Sequence, residues 1–109
     1  MSRVLLMVLG GALALNVQAS GNADKGKQKA AQVCAACHGP DGNKPSAPDQ
    51  PILAGQYYDY LLRALADYKN GRRNNAIMKG FAGQLSKQDM EDLAAWFSSQ
   101  PTSSLHDQR

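Results

Sequence analysis

The chain has 109 residues, enough for one domain and too few for two separate cores. Its 12 basic and 9 acidic side chains leave a formal charge of +3, too mild an excess to argue for a nucleic-acid binder, and no positive run exceeds Arg72-Arg73. Two cysteines, Cys34 and Cys37, stand three positions apart. A bridge between them would close a tiny loop and remove little chain entropy, so a disulfide framework is excluded as the main support of the fold.

The first segment reads as a leader. Arg3 supplies one positive side chain, residues 4–15 form a nearly unbroken apolar run of 12, and Val17-Gln18-Ala19 offers the small residues of a cleavage site. The run falls short of the roughly 20 residues that span a bilayer as a helix. The expectation is a cleaved signal peptide over residues 1–19 and a periplasmic mature domain over residues 20–109, with no stable membrane insertion after cleavage. An uncleaved anchor is the rival reading. The mature chain is small for a self-sufficient core and calls for a bound group to complete it.

The rest of the chain shows no alternating β-branched run, so the expected class is all-α with long loops. A first helix is expected over residues 23 to about 34, with Asp24 near its start. Gly26 inside it costs about 1 kcal/mol against Ala, which suggests either close packing or a frayed first turn. Residues 39–55 carry Pro40, Pro45, Pro48 and Pro51 and read as a loop. A loop that long in so small a domain tends to be functional or to wrap something.

A second helix is expected over residues 56 to about 70, where Tyr57, Tyr60, Leu61, Ala64, Leu65 and Tyr68 recur at three- and four-residue spacing until Asn70-Gly71. Residues 72–83 read as a second loop. Ser86 and Asp89 have capping-box spacing and open a third helix, whose apolar stripe is Met90, Leu93, Ala94 and Phe97. Pro101 ends it, and a polar tail runs from about residue 102.

Cys34-Ala35-Ala36-Cys37-His38 carries the chemistry. C-x-x-C-H is the attachment signature for c-type haem. One helical turn places two thiols where they can form thioethers with the two vinyl groups of one porphyrin. The adjacent His38 then reaches the iron, for which neutral imidazole is a good ligand. A thioredoxin-like pair would need a βαβ setting, and a zinc site would need a fourth ligand such as His106. A plain disulfide is the third alternative. Export agrees with the haem reading, since covalent attachment in bacteria is completed outside the cytoplasmic membrane.

For the sixth position the mature chain offers Met78, Met90 and His106. Met90 falls on a helical stripe and reads as core. His106 lies in the tail. Met78, 40 residues after His38, stands in a polar segment where no helix face claims it. An open iron site with Met78 as a loop anchor remains the alternative.

With these landmarks in place the chain resembles the class I c-type cytochromes, and is similar to short bacterial monohaem proteins that look like one half of a dihaem cytochrome c. The resemblance rests on Cys34-Ala35-Ala36-Cys37-His38-Gly39-Pro40-Asp41-Gly42, on Pro51-Ile52-Leu53-Ala54-Gly55-Gln56, on Tyr68-Lys69-Asn70-Gly71-Arg72 ahead of Met78, and on Leu93-Ala94-Ala95-Trp96-Phe97. It implies three main helices with long loops wrapping one covalent haem c, attached at Cys34 and Cys37 and ligated by His38 and Met78. It also implies that the Pro51 carbonyl accepts a hydrogen bond from His38, that Leu53 packs on the haem face, and that Gly26 marks a helix crossing opposite Trp96. Many relatives carry an aromatic residue four positions after that glycine, where this chain has Ala30.

Tyr57, Tyr58, Tyr60, Arg63 and Trp96 are candidates for the haem propionates, and Lys44, Arg72, Arg73 and Lys79 for a rim that steers acidic partners. The implied function is one-electron transfer, not catalysis. Partners would be redox proteins, a quinol-oxidising complex or dehydrogenase upstream and an oxidase or reductase downstream. A haem protein with a labile methionine that binds small ligands or acts on peroxide is the alternative, as is an electron-transfer subunit of a larger oxidoreductase.

Overall fold

A computed structural model describes residues 21–102, so the expected signal peptide, nearly all of the polar tail and His106 lie outside the described residues. Five helices and no strand occur among them: α1 (Ala23–Val33), α2 (Ala35–His38), α3 (Tyr58–Asn70), α4 (Ala76–Ala82) and α5 (Lys87–Ser98). The three long helices are those expected from the sequence. The second begins at Tyr58 instead of residue 56, because Tyr57 still has extended backbone.

At α1 and α5 a side chain satisfies free amides of the first turn. Asn22 caps α1 by accepting from the Lys25 N–H at 3.0 Å. At α5 the expected capping box is complete, with Ser86 Oγ accepting from the Asp89 N–H and Asp89 Oδ2 from the Ser86 N–H, both at 3.0 Å. The Ser86 N–H holds the Asp89 carboxyl below the usual carboxylate range.

The core lies between α1, α3 and α5 and contains Ala30, Leu61, Leu85, Met90, Leu93, Ala94 and Phe97. Leu93 and Phe97, 1% and 3% exposed, each contribute about 1.5–3 kcal/mol by leaving water. Met90 belongs to this cluster, as its place on the helical stripe implied. α1 crosses α5 at Gly26, where a Cβ would stand 2.6 Å from the Asp92 carbonyl carbon and 2.9 Å from Trp96 Cβ. Of the two explanations for Gly26, close packing is therefore the correct one. Asp92, buried on α5, fastens the same pair of helices: its Oδ1 accepts from the Asn22 N–H and from Gln88 Nε2, both at 2.8 Å. The crossing fixes the end of α1, and with it the start of α2.

The segment between α2 and α3 has no regular structure but is firmly attached. The Lys44 and Ser46 N–H groups donate to the carbonyls of His38 and Cys37, and Gly55 N–H donates to the Phe97 carbonyl at 2.8 Å. Gly42, at φ 83°, turns the chain so that its carbonyl accepts from Leu53 and Ala54. A Cβ there would also meet Phe97 Cδ1 at 2.8 Å, so both its conformation and its contact require glycine. These bonds deliver residues 50–53 to the turn that carries the cysteines.

The fourth helix corrects the sequence reading. Residues 72–83 were expected to be loop, but α4 occupies most of that stretch. Asn75 initiates it: its Oδ1 accepts from the Ile77 N–H at 3.1 Å and the Met78 N–H at 3.0 Å. Met78 is thus on a short helix and not in a loop. Three main helices become three long ones and two short ones.

Replacing Gly26 with Ala should destabilise the protein. The clash is with backbone of α5, so the expected overpacking penalty of about 1–3 kcal/mol exceeds the helix-propensity gain of about 1 kcal/mol. Guanidinium denaturation followed by far-ultraviolet circular dichroism checks this. A Gly26→Ala variant more stable than wild type would mean that the helices do not approach so closely.

Candidate functional site

α2 is a single turn, and its sequence sets the spacing of three reactive groups. The Cys37 and His38 N–H groups both bond to the Cys34 carbonyl, at 3.2 and 3.0 Å. Cys34 and Cys37 therefore lie one turn apart on the same side, and both are free thiols. Burial, with a smaller contribution from Cys37, pushes the Cys34 thiol up to about 11, so it stays protonated at neutral pH.

His38 is 7% exposed, and its Nδ1 lies 3.0 Å from the Pro51 carbonyl oxygen. A carbonyl can only accept, so Nδ1 carries the proton and donates. The lone pair is then on Nε2, the nitrogen left to bind a metal.

Cys34, Cys37 and His38 line one cleft. Its walls are mostly apolar, with Asp49, Gln50 and Asn75 among the polar exceptions. Leu53 comes from the loop, Leu61, Ala64 and Leu65 from α3, Leu93, Ala94 and Phe97 from α5, and Ile77, Phe81 and Ala82 from α4. Met78 lines the same cleft from α4, whereas Met90 does not. Ile77 and Phe81 are 69% and 41% exposed, so apolar surface continues from the cleft to its edge.

The site thus combines two unpaired thiols a helical turn apart, an imidazole of fixed tautomer, a thioether and an apolar chamber. That donor set fits a metalloporphyrin, whose face is large and apolar and whose iron takes nitrogen and sulfur ligands. Other chemistries fit less well. No strand context for a thioredoxin-like pair occurs among the described residues. No group of three or more His, Cys, Asp and Glu side chains among them is arranged to hold a bare metal ion.

The cleft also revises the side-chain candidates. None of Tyr57, Tyr58, Tyr60, Arg63 and Trp96 lines it. Trp96 Nε1 donates to the Pro40 carbonyl at 3.0 Å, with Lys27 5.6 Å from the ring, so the indole serves the join between α5 and the loop. Tyr68, which the sequence reading placed on a helical stripe and in a family landmark, does line the cleft, and the Arg73 guanidinium sits 4.7 Å over its ring. Asn75 was missed altogether. Its position just before Ala76-Ile77-Met78 is the cap signal that would have found it.

The family model for cytochrome c matches residues 23–101. Cytochrome c4 of Pseudomonas aeruginosa is 50% identical over 99 residues, covering 91% of this chain and 47% of the relative. Cytochrome c-554(548) of Halomonas halodenitrificans is 42% identical over 84 residues, covering 74% of this chain and 99% of the relative. The crystal structure of reduced recombinant cytochrome c4 from Pseudomonas stutzeri matches with a TM-score of 0.69 at 48% identity, over 76% of this chain and 47% of that one. The chain spans about half the length of the curated cytochromes c4 that it matches.

Because much of the cleft wall would otherwise face water, the fold should depend on the group attached at the cysteines. The product of Cys34→Ala with Cys37→Ala is expected to be largely unfolded or degraded. Circular dichroism during heating checks this, and a cooperative transition close to that of the holo protein would contradict it. The all-helical class I architecture, the free C-x-x-C-H turn beside an apolar cleft, and the match across residues 23–101 make this chain a member of the cytochrome c family, with one covalent haem c implied at Cys34 and Cys37.

Proposed function

We propose that the protein is a one-electron carrier that works in the periplasm, with His38 and Met78 as the two axial ligands of its haem iron. Haem c supplies an iron that changes charge by one. The chain's own residues determine what that iron can do. Cys34 and Cys37 would hold the porphyrin through thioethers. The Pro51 carbonyl would hold the His38 ring in one orientation and raise its basicity. A thioether opposite an imidazole favours the reduced state and raises the potential. With His38 and Met78 filling both positions, no site would be left open for oxygen or peroxide.

The observation that carries this reading is that His38, with its Nδ1 tied to Pro51, and Met78 line the same apolar cleft as the two free thiols. Met90 is set aside by its burial in the core. Periplasmic location rests on the leader-like residues 1–19, and no described helix is long and apolar enough to cross a membrane. The partners would be redox proteins, a quinol-oxidising complex or dehydrogenase on one side and an oxidase or reductase on the other.

A second reading has its own support. α4 is seven residues long and buries only Ala82. If Met78 detaches readily, the protein would bind small ligands at the iron.

Ferric wild-type protein should show the weak long-wavelength band of sulfur-to-iron ligation. Met78→Ala should abolish it, lower the potential and open the ferrous iron to carbon monoxide. Met90→Ala should keep the band and cost about 2–5 kcal/mol of stability, since that side chain is 7% exposed. Reversed behaviour of the two variants would show that the ligand is misassigned. Ready binding of carbon monoxide by the wild-type ferrous protein at neutral pH would favour the second reading.

A further inference from the structure

Met78 is carried by a seven-residue helix that buries only Ala82. α4 packs on α3, and an isolated helix of two turns is unstable in water, so its position depends on how its ends are held. At the far end the Gly83 N–H bonds to the Lys79 carbonyl at 2.8 Å, and the Lys69 ammonium donates to the Leu85 carbonyl. At the near end stands Asn75, in extended backbone at φ −153° and ψ 110°. Its side-chain oxygen accepts from the Ile77 N–H at 3.1 Å and from the Met78 N–H at 3.0 Å. Amides in a helix's first turn have no intrahelical partner. Asn75 therefore holds the very residue whose thioether lines the cleft, and Asn75 itself lines that cleft.

We propose that Asn75 is a positioning residue for the sixth ligand: by bonding to the Met78 amide it fixes the first turn of α4, so that the thioether meets the iron in one orientation. The inference rests on Met78 being the axial ligand. Without the cap the first turn frays and the Met78 backbone gains freedom that must be lost whenever the sulfur binds. The population with sulfur detached then rises, although no group touching the iron has changed. Ser at this position retains a side-chain oxygen that accepts from a first-turn amide, and Ala does not.

The test uses holo protein and imidazole as a competing ligand, titrated into the ferric form while the main haem absorption band is followed, a readout that does not need Met78. Asn75→Ala should raise the apparent imidazole affinity roughly fivefold, the population change produced by losing a helix cap of ordinary strength. Asn75→Ser should stay close to wild type. In a Met78→Ala background, adding Asn75→Ala should leave imidazole affinity unchanged, because the cap acts through Met78. Wild-type affinity in Asn75→Ala overturns the proposal, and does so even if that variant unfolds at lower denaturant, since the cap would then be merely structural. An equal shift in both backgrounds also overturns it, because Asn75 would then act on the cleft directly. If instead Met78→Ala keeps the band, the axial assignment has failed first, and the proposal falls with it through a result that does not involve Asn75.

Discussion

The hydrogen bond between His38 Nδ1 and the Pro51 carbonyl is the contact on which the site depends. It selects the imidazole tautomer, leaves Nε2 with its lone pair, and joins the short cysteine turn to the proline-rich loop. Each partner reaches it by a separate route. His38 is placed by α1, whose crossing with α5 is fixed by Gly26 and by Asp92. Pro51 is placed by a loop whose amides donate back to the carbonyls of His38, Cys37 and Phe97. Gly26, far along the chain from Pro51, is therefore tied to the position of His38 through packed helices.

The core and the site are not separate regions. Leu61, Leu93, Ala94 and Phe97 belong to the buried cluster and also line the cleft. A chain this short has few side chains with which to build a core, and here they are arranged around a chamber that suits a large flat apolar group. Stability and redox chemistry thus share the same residues. The two methionines among the described residues divide accordingly. Met90 fills core and Met78 lines the cleft from a short helix that buries only Ala82. The haem-side walls are contributed by well-anchored helices, whereas the proposed sixth ligand depends on short-range bonds at the ends of α4.

Much of this was legible in the sequence because it is local. The spacing of Cys34, Cys37 and His38 requires one helical turn, and the structure supplies one. The stripe from Met90 to Phe97 gives the buried face of α5, and Ser86 with Asp89 marks its start. The contacts of Pro51 and Gly26 came from family resemblance, since nothing in the local pattern specifies a partner many residues away. α4 was misread because its segment is polar and buries little, so periodicity is weak. Its helix depends on the Asn75 cap, a signal of one residue. Asp92 was silent for another reason: its partner Asn22 is distant in sequence, and a buried carboxylate has no periodic signature. Trp96 was placed among polar candidates for the haem, but its N–H is committed to the Pro40 carbonyl.

The central claim is that one methionine sulfur, that of Met78, completes the iron's coordination while the other remains in the core. Proton–carbon correlation spectra of the ferrous protein, with carbon-13 in the methionine methyl groups, test this most directly. A methyl bound above the porphyrin is displaced far upfield by the ring current, and a core methyl is not. The account predicts one strongly displaced methyl, absent from the spectrum of a Met78→Leu variant, and a Met90 methyl close to its ordinary position. Two ordinary methyl signals, or a displaced signal that survives in Met78→Leu, would contradict it.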